Sequence, residues 1–156
     1  MRCLVFSDSH EDITNMEKIT KRFYPDVILH LGDSINDAMI LKNKFPLINF
    51  ECIKGNIDED SDAPEEYLVS LEKVKIYLTH CQKEQNMMID KAIEEKAQIY
   101  LYGNTHTPAF SATRGIVLMN PGAIGSSFEE CSFGLIDVFE SEFTCSILFA
   151  NHYKLL

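Results

Sequence analysis

The sequence has no apolar run long enough to cross a lipid bilayer, which takes about 20 residues in a helix. Its first apolar segment, Cys3–Phe6, is too short for the hydrophobic part of a secretory signal peptide and runs directly into polar residues. The sequence therefore predicts a cytoplasmic protein without a membrane partner.

Basic residues are scarce. The 156 residues include 14 Lys and Arg against 24 Asp and Glu, which gives a formal net charge of −10 at pH 7. A negative field disfavours long nucleic acids, because their binding depends on neutralisation of phosphates by Lys and Arg. Stable nucleic-acid binding is therefore not expected. Small phosphate esters stay compatible with this charge, since bound divalent cations can reverse the local sign of the field.

Paired cysteine motifs are also absent. The five cysteines are odd in number, lie far apart and include no C-x-x-C pair. This pattern predicts reduced thiols, most of which pack as small apolar side chains in a cytosolic protein.

Short apolar runs alternate with amphipathic segments along the first two thirds of the chain. The runs predict buried strands at Arg2–Ser7, Val27–Leu31, Ile48–Ile53, Val74–Leu78 and Ile99–Tyr102. The intervening segments predict a helix that ends before Pro25 and further helices near residues 37–44 and 85–97. This alternation indicates βαβ units around a largely parallel sheet.

The last third of the chain lacks helix signals. Residues 110–119 and 133–149 predict two hairpins, the first with its turn at Arg114-Gly115. No repeat or linker is visible. We therefore expect one domain over residues 1–156, of the α/β class, in which two sheets form a sandwich flanked by helices.

Polar residues follow five predicted strands at their carboxyl ends, where open α/β sheets place their sites. The candidate metal ligands are Asp8, His10, Asp33, Asn56, His80, Asn104 and His106. Carboxylate, imidazole and amide groups together suit divalent Mn, Fe, Zn, Co or Ni. Asp8 and His10 lie two residues apart, so they project to the same side of a strand end. These residues predict a metal site.

Other polar positions have simpler interpretations. The acidic segment at residues 58–66 is interpreted as a solvated loop in preference to a carboxylate metal site. His30 lies inside the second predicted strand and is expected to be structural, while His152 is expected at the surface.

The order of the motifs resembles the calcineurin-like metallophosphoesterase superfamily, especially its small bacterial and archaeal phosphodiesterases. The matching segments are Ser7-Asp8-Ser9-His10, His30-Leu31-Gly32-Asp33, Lys54-Gly55-Asn56, Leu78-Thr79-His80, Gly103-Asn104-Thr105-His106 and Asn120-Pro121-Gly122. The resemblance implies a four-layer α-β-β-α sandwich of two mixed sheets flanked by helices, with two divalent metal ions at the strand ends.

The resemblance also implies a ligand set and a reaction. Metal one takes Asp8, His10 and His106; metal two takes Asn56, His80 and Asn104; Asp33 bridges both. Manganese is the first expectation, with Ni, Co, Fe or Zn as alternatives. A hydroxide shared by the two ions attacks phosphorus in line with the leaving oxygen of a small phosphodiester. The catalytic residues implied are Asp33, Asn56 and His80.

The sequence departs from the family pattern at four places. Asn104 replaces the usual His, and its amide oxygen is a weaker donor to a transition metal, so the second site should bind less tightly. Glu11 replaces a Gly and is interpreted as a surface residue. Cys81-Gln82 replaces Gly-His, which removes a substrate contact. Ile57 stands where many members have a His that assists the leaving group.

These departures leave a second class of function open. A retromer subunit, a eukaryotic relative, uses this fold chiefly as a protein-binding scaffold, and fold alone does not determine function. The alternative is therefore a metal-poor, weakly active scaffold or regulatory module, and homo-oligomerisation is compatible with either function. Catalysis is favoured because the other ligand positions keep the family's residues, which a scaffold does not need.

Overall fold

The computed structural model describes residues 1–80 and 85–153, in which ten strands and three α-helices are found. The strands are β1 (Arg2–Phe6), β2 (Val27–His30), β3 (Asn49–Cys52), β4 (Glu66–Leu71), β5 (Val74–Thr79), β6 (Ile99–Leu101), β7 (Ala109–Thr113), β8 (Ile116–Asn120), β9 (Ser132–Phe139) and β10 (Glu142–Phe149). The helices are α1 (Thr14–Phe23), α2 (Ile35–Lys44) and α3 (Gln85–Glu94). Within this part of the chain, no helix has the length and apolarity that a membrane span requires.

The first sheet has the strand order β10-β9-β1-β2-β3. Strands β1, β2 and β3 are parallel, and β9 and β10 add an antiparallel hairpin beside β1. Parallel neighbours require long crossover connections, which contain α1 and α2. The carboxyl ends of β1, β2 and β3 therefore meet at one edge of the sheet.

The second sheet has the order β4-β5-β6-β8-β7. Its three central strands are parallel, while β4 and β7 are antiparallel edge strands. Helix α3 lies in the crossover from β5 to β6, so these two strands also point their carboxyl ends the same way.

Apolar side chains fill three layers of packing. The layer between the sheets contains Val5, Leu29, Ile53, Ile76, Leu78, Leu101 and Ile136, all buried. Met16 of α1 and Leu41 of α2 pack over the outer face of the first sheet, and Met88 and Ala92 of α3 pack over the second. Burial of each aliphatic side chain stabilises the folded state by roughly 1.5–3 kcal/mol. The result is a four-layer α-β-β-α sandwich of two mixed sheets, which confirms the predicted fold.

Two features of the second sheet refine the sequence interpretation. The sequence pattern does not predict β4, which is an edge strand whose only fully buried residue is Leu71. The hairpin at Arg114-Gly115 is confirmed as β7 and β8. It joins the second sheet, with β8 parallel to β6, while β9 and β10 return to the first sheet. The last third of the chain thus contributes to both sheets.

Candidate metal centre

The seven candidate ligands lie at one end of the sandwich. The first sheet supplies the residues that follow β1, β2 and β3, which are Asp8, His10, Asp33 and Asn56. The second sheet supplies the residues that follow β5 and β6, which are His80, Asn104 and His106. Contacts between the two groups join the sheets at this end.

Four of these residues form a compact group of metal-ligating atoms. Asp8, His10, Asp33 and His106 each offer one such atom, and all four atoms lie within 4.8 Å of one another. His106 Nε2 is 3.3 Å from Asp8 Oδ1. His80 Nε2 lies beside the same group, 3.3 Å from Asp33 Oδ2 and 3.9 Å from Asp8 Oδ1. Carboxylates and imidazoles at these spacings can surround shared cations.

The two candidate amides lie together beside this group. The Asn56 side-chain amide donates to Asn104 Oδ1 at 2.7 Å, and the Asn104 backbone N–H donates to Asp8 Oδ2 at 3.3 Å. The structure therefore brings both amides to the same edge as the carboxylates and imidazoles.

His80 is oriented by the backbone of the first sheet. Its Nδ1 is 2.6 Å from the carbonyl oxygen of Leu31, which can only accept, so Nδ1 carries the proton and donates it. The second ring nitrogen, Nε2, is left to face Asp33. This arrangement is typical of a metal-ligating histidine, whose other nitrogen is commonly fixed by a carbonyl or carboxylate.

The backbone of the site is unusual. Five candidate residues have a left-handed conformation, with φ values of 54° at Asp8, 47° at His10, 57° at Asp33, 68° at Asn104 and 58° at His106. Such residues cost on the order of 1–3 kcal/mol each and cluster at functional sites, where the surrounding structure holds them in place. One holding contact is the Asp8 N–H bond to Gly32 O at 3.1 Å.

Gly55 allows two of the loops to approach closely. A Cβ atom at this position would lie 2.1 Å from Asp33 Oδ1 and 2.3 Å from the Asp33 backbone nitrogen. Gly32 meets the same loop from the other side, where a Cβ would lie 2.4 Å from the Gly55 nitrogen. Only glycine fits this crossing of backbones.

Burial and neighbouring charged groups shift the pKa values of three residues of the site. Burial raises the pKa of Asp8, against the opposing effects of the Ser7 hydroxyl and of His80. Burial also opposes the charge of Asp33, but His80 and neighbouring backbone N–H groups outweigh it and lower the pKa of Asp33 to about 2. For His80, burial is outweighed by Asp33 and Asp8, and its pKa is raised. Buried carboxylates thus depend on positive charge nearby.

Three buried polar atoms indicate what the site lacks. Asp8 Oδ1, His10 Nε2 and His80 Nε2 are shielded from solvent and have no hydrogen-bond partner among the described residues. Unpaired buried polar atoms are rare and costly in folded proteins. A cation that accepts lone pairs from carboxylate and imidazole would satisfy all three, so the residues present fit a divalent metal.

The structure also places other residues for which the sequence predicts a position or a role. His30 is fully buried in β2, and its Nδ1 accepts the Gly32 N–H at 3.3 Å, as expected of a structural residue. Glu11 and His152 are exposed, as expected. Ile57 is an exposed apolar side chain next to Asn56. Cys81 and Gln82 lie outside the described residues.

Sequence reasoning misses two residues of this region. Asp58, placed in a solvated loop, instead accepts backbone hydrogen bonds from Gly55 and Asp33, each at 2.9 Å, so that interpretation is wrong for this residue. Phe128 packs edge-on against the rings of His10 and His106, with centroids 5.3 Å and 4.7 Å away. The only sequence signal was the position of Asp58 two residues after Asn56.

The fold and the site together define a class of protein, an α/β sandwich with a cluster of candidate metal ligands at its strand ends. Comparison with known proteins identifies the family. Residues 1–141 match the family model of the calcineurin-like phosphoesterase superfamily domain. The chain belongs to this superfamily.

Two curated relatives and two solved structures illustrate the similarity. A probable metallophosphoesterase, YsnB of Bacillus subtilis, is 30% identical over 132 residues, which are 80% of this chain and 75% of that protein. A phosphodiesterase of Methanocaldococcus jannaschii is 22% identical over 140 residues, 78% of this chain and 83% of that protein.

Among solved structures, a conserved Streptococcus pneumoniae protein described as a predicted phosphoesterase has a TM-score of 0.78 at 29% identity, covering 96% of this chain and 90% of its own. Wild-type Vps29 of Entamoeba histolytica, complexed with zinc, has a TM-score of 0.74 at 17% identity, covering 97% of this chain and 100% of its own. The latter similarity shows the fold alone.

Proposed function

We propose that this chain is a divalent-metal-dependent phosphodiesterase that hydrolyses a small phosphodiester. The observation that carries the proposal is the group of ligand atoms from Asp8, His10, Asp33 and His106 within 4.8 Å of one another, with His80 beside it. The name of the Methanocaldococcus jannaschii relative supports a diester in preference to a monoester.

The proposed ligand set is the one that the family resemblance implies, and the position of all seven residues at one end of the sandwich supports it. Asp8, His10 and His106 would hold one ion, Asn56, His80 and Asn104 the other, and Asp33 would contact both. Mn²⁺ is the first candidate for both sites, because carboxylate, imidazole and amide donors suit it, as they also suit Ni, Co, Fe or Zn. When bound, such ions neutralise charge on the phosphate oxygens and lower the pKa of water enough for nucleophilic attack near neutral pH.

The chain's own residues position these groups. Asp33 is ionised at neutral pH, since its pKa is lowered to about 2. His80 presents Nε2 because its Nδ1–H is fixed to Leu31 O. Asn56 and Asn104 add neutral amide groups at the exposed side of the centre, where a phosphate would enter. We propose Asp33, Asn56 and His80 as the residues nearest the reacting phosphate.

A groove beside the centre suits one ester substituent. It has a volume of about 630 Å³, and its lining includes the apolar Met39 and Ile57, next to Asn56, and the acidic Asp58, Glu59 and Asp60. An apolar surface beside acidic side chains favours an uncharged organic group over an anionic one. We therefore propose a small diester, not a nucleic acid polymer, as the substrate.

A protein-binding scaffold is the second candidate function. Asn104 favours it, because an amide in place of an imidazole weakens one metal site. The zinc complex of Vps29 has the same fold. The two functions differ in whether the metal-loaded chain hydrolyses phosphodiesters.

We expect chelator-stripped protein to be inactive on bis(p-nitrophenyl) phosphate and to regain turnover when Mn²⁺ is added. Because the exposed side chain of Ile57 cannot donate a proton, the leaving oxygen departs as an anion. Rates across aryl phosphodiesters should then fall steeply as the leaving-group pKa rises. Protein that binds Mn²⁺ tightly yet hydrolyses no diester would favour the scaffold, and a flat leaving-group dependence with chemistry rate-limiting would reveal a general acid.

We expect unequal occupancy of the two metal sites, with the site that includes Asn104 the weaker. Replacement Asn104→His supplies an imidazole and should tighten Mn²⁺ binding there at least about tenfold, roughly 1.4 kcal/mol. Titration calorimetry on stripped wild type and variant measures this. Asn43→His, which adds an imidazole on the exposed face of α2, controls for non-specific binding. Two equally tight sites in the wild type, or no change in the variant, would rule out residue 104 as an important ligand.

A further inference from the structure

Asp58 accepts four hydrogen bonds from backbone N–H groups, an unusually high number for a side chain that the sequence places in an acidic loop. Its Oδ2 accepts from Asp33 and Gly55, each at 2.9 Å. Its Oδ1 accepts from Ser34 at 3.1 Å and Ile35 at 2.9 Å. Four donors fill the acceptor sites of one carboxylate, and all four belong to the loops after β2 and β3.

The loop after β2 depends on this carboxylate. Ser34, at the start of α2, has a left-handed backbone with φ of 86° and makes no capping hydrogen bond with its own side chain. The first N–H groups of a helix need acceptors, and a carboxylate there also interacts favourably with the helix dipole. Asp58, from the loop after β3, supplies both the hydrogen-bond acceptor and the negative charge. It accepts the N–H groups of Ser34 and of Ile35, the first residue of α2.

The contact between the two loops is reciprocal. Asp58 binds the backbone of residues 33–35, and Asp33 Oδ1 in turn accepts the N–H of Ile57 at 3.2 Å. Gly55, whose N–H also binds Asp58, directly precedes Asn56. The positions of Asp33 and Asn56 relative to each other are thus set through Asp58.

We propose that Asp58 is a positioning residue of the metal centre: it holds the Asp33 and Asn56 loops in the register that lets both residues contact the same ion. This inference rests on the proposed function, because it assigns Asp58 to the side of the centre formed by Asn56, His80 and Asn104. The hydrogen bonds of Asp58 to backbone N–H groups, and not a bond to metal, carry this role.

The test compares Mn²⁺ binding by chelator-stripped wild type, Asp58→Asn and Asp58→Glu, using titration calorimetry and the spin-coupling of Mn²⁺ pairs in electron paramagnetic resonance. Asp58→Asn turns one acceptor into a donor that faces N–H groups. Asp58→Glu keeps the charge but displaces the carboxylate by one methylene. Both variants should bind the second equivalent of Mn²⁺ at least tenfold more weakly than the wild type and should lose the spin-coupled signal. Their affinity for the first equivalent should change less.

Asp62→Asn is the matched control, because Asp62 lies in the same acidic segment, is exposed, does not line the groove and makes no side-chain hydrogen bond among the described residues. It should bind both equivalents as the wild type does. If Asp58→Asn does not fold, Asp58→Glu alone tests the positioning role. Variants that lose thermal stability yet bind two ions as tightly as the wild type would overturn the positioning role. An Asp62→Asn effect equal to that of Asp58→Asn, with Asp58→Glu unchanged, would also overturn it, since charge alone would then matter. A wild type that binds no Mn²⁺ would overturn the proposed function and this inference together.

Discussion

Asp33→Asn is expected to reduce phosphodiester hydrolysis about a thousandfold, roughly 4 kcal/mol of transition-state stabilisation. Asp33 is the carboxylate that lies close to residues of both proposed metal sites. It belongs to the four-residue group within 4.8 Å, and its Oδ2 lies 3.3 Å from His80 Nε2. One substitution therefore weakens both proposed metal sites, whereas replacement of any other ligand affects one.

The measurement is turnover of an aryl phosphodiester at saturating Mn²⁺, accompanied by calorimetric titration of the metal. Asp62→Asn removes an equal charge from an exposed position in the acidic segment and should retain activity. Full activity of Asp33→Asn with metals bound would show that no bridging carboxylate is needed, and the dinuclear assignment would then be wrong.

Gly55→Ala is expected to lower the free energy of unfolding by about 2 kcal/mol or more and to abolish the second metal site. Overpacking of a tight interior usually costs about 1–3 kcal/mol. Here the added Cβ would lie 2.3 Å from the backbone nitrogen of Asp33, an atom that cannot move without displacing its loop. The loop must shift away, taking Asp33 with it.

Gly115→Ala is the control for this substitution. Gly115 also has a positive φ, of 81°, but a Cβ there meets no atom within 4 Å. This variant should lose only about 1 kcal/mol from its backbone conformation and keep both metal sites. Chemical denaturation and Mn²⁺ titration of both variants measure the difference. Gly55→Ala with the stability and the Mn²⁺ binding of the wild type would contradict the close crossing of the loops.

The five strands that lead into the candidate centre could be predicted because each follows from a local pattern. The apolar runs ending at Ser7, Leu31 and Ile53 each predict a buried strand, and parallel strands collect the polar residues that follow them at one edge. No long-range information was needed for Asp8, Asp33 or Asn56. The ligand assignments themselves stay predictions until metal binding is measured.

The remaining features depend on contacts between distant segments. The role of Asp58 could not be predicted, since its partners at residues 33–35 lie more than 20 positions earlier and are backbone groups, which leave no residue-type signal. Phe128 reaches His10 and His106 only once both sheets are assembled. Strand β4 has apolar or aromatic side chains at four of its six positions, but it begins at Glu66, inside the acidic segment that is interpreted from the sequence as a solvated loop.

The division of the ligands between two sheets has a consequence for how this protein folds. Asp8, His10, Asp33 and Asn56 belong to the first sheet, while His80, Asn104 and His106 belong to the second. The first and last candidate ligands, Asp8 and His106, lie 98 positions apart in the sequence, so both sheets must form before the centre is complete. A bound ion would contact residues of both sheets. Because it would bind only the folded state, in which the sheets are packed together, it would stabilise that state. Metal supply would then govern how long the two halves stay together, and so how readily proteases reach the apolar layer between them.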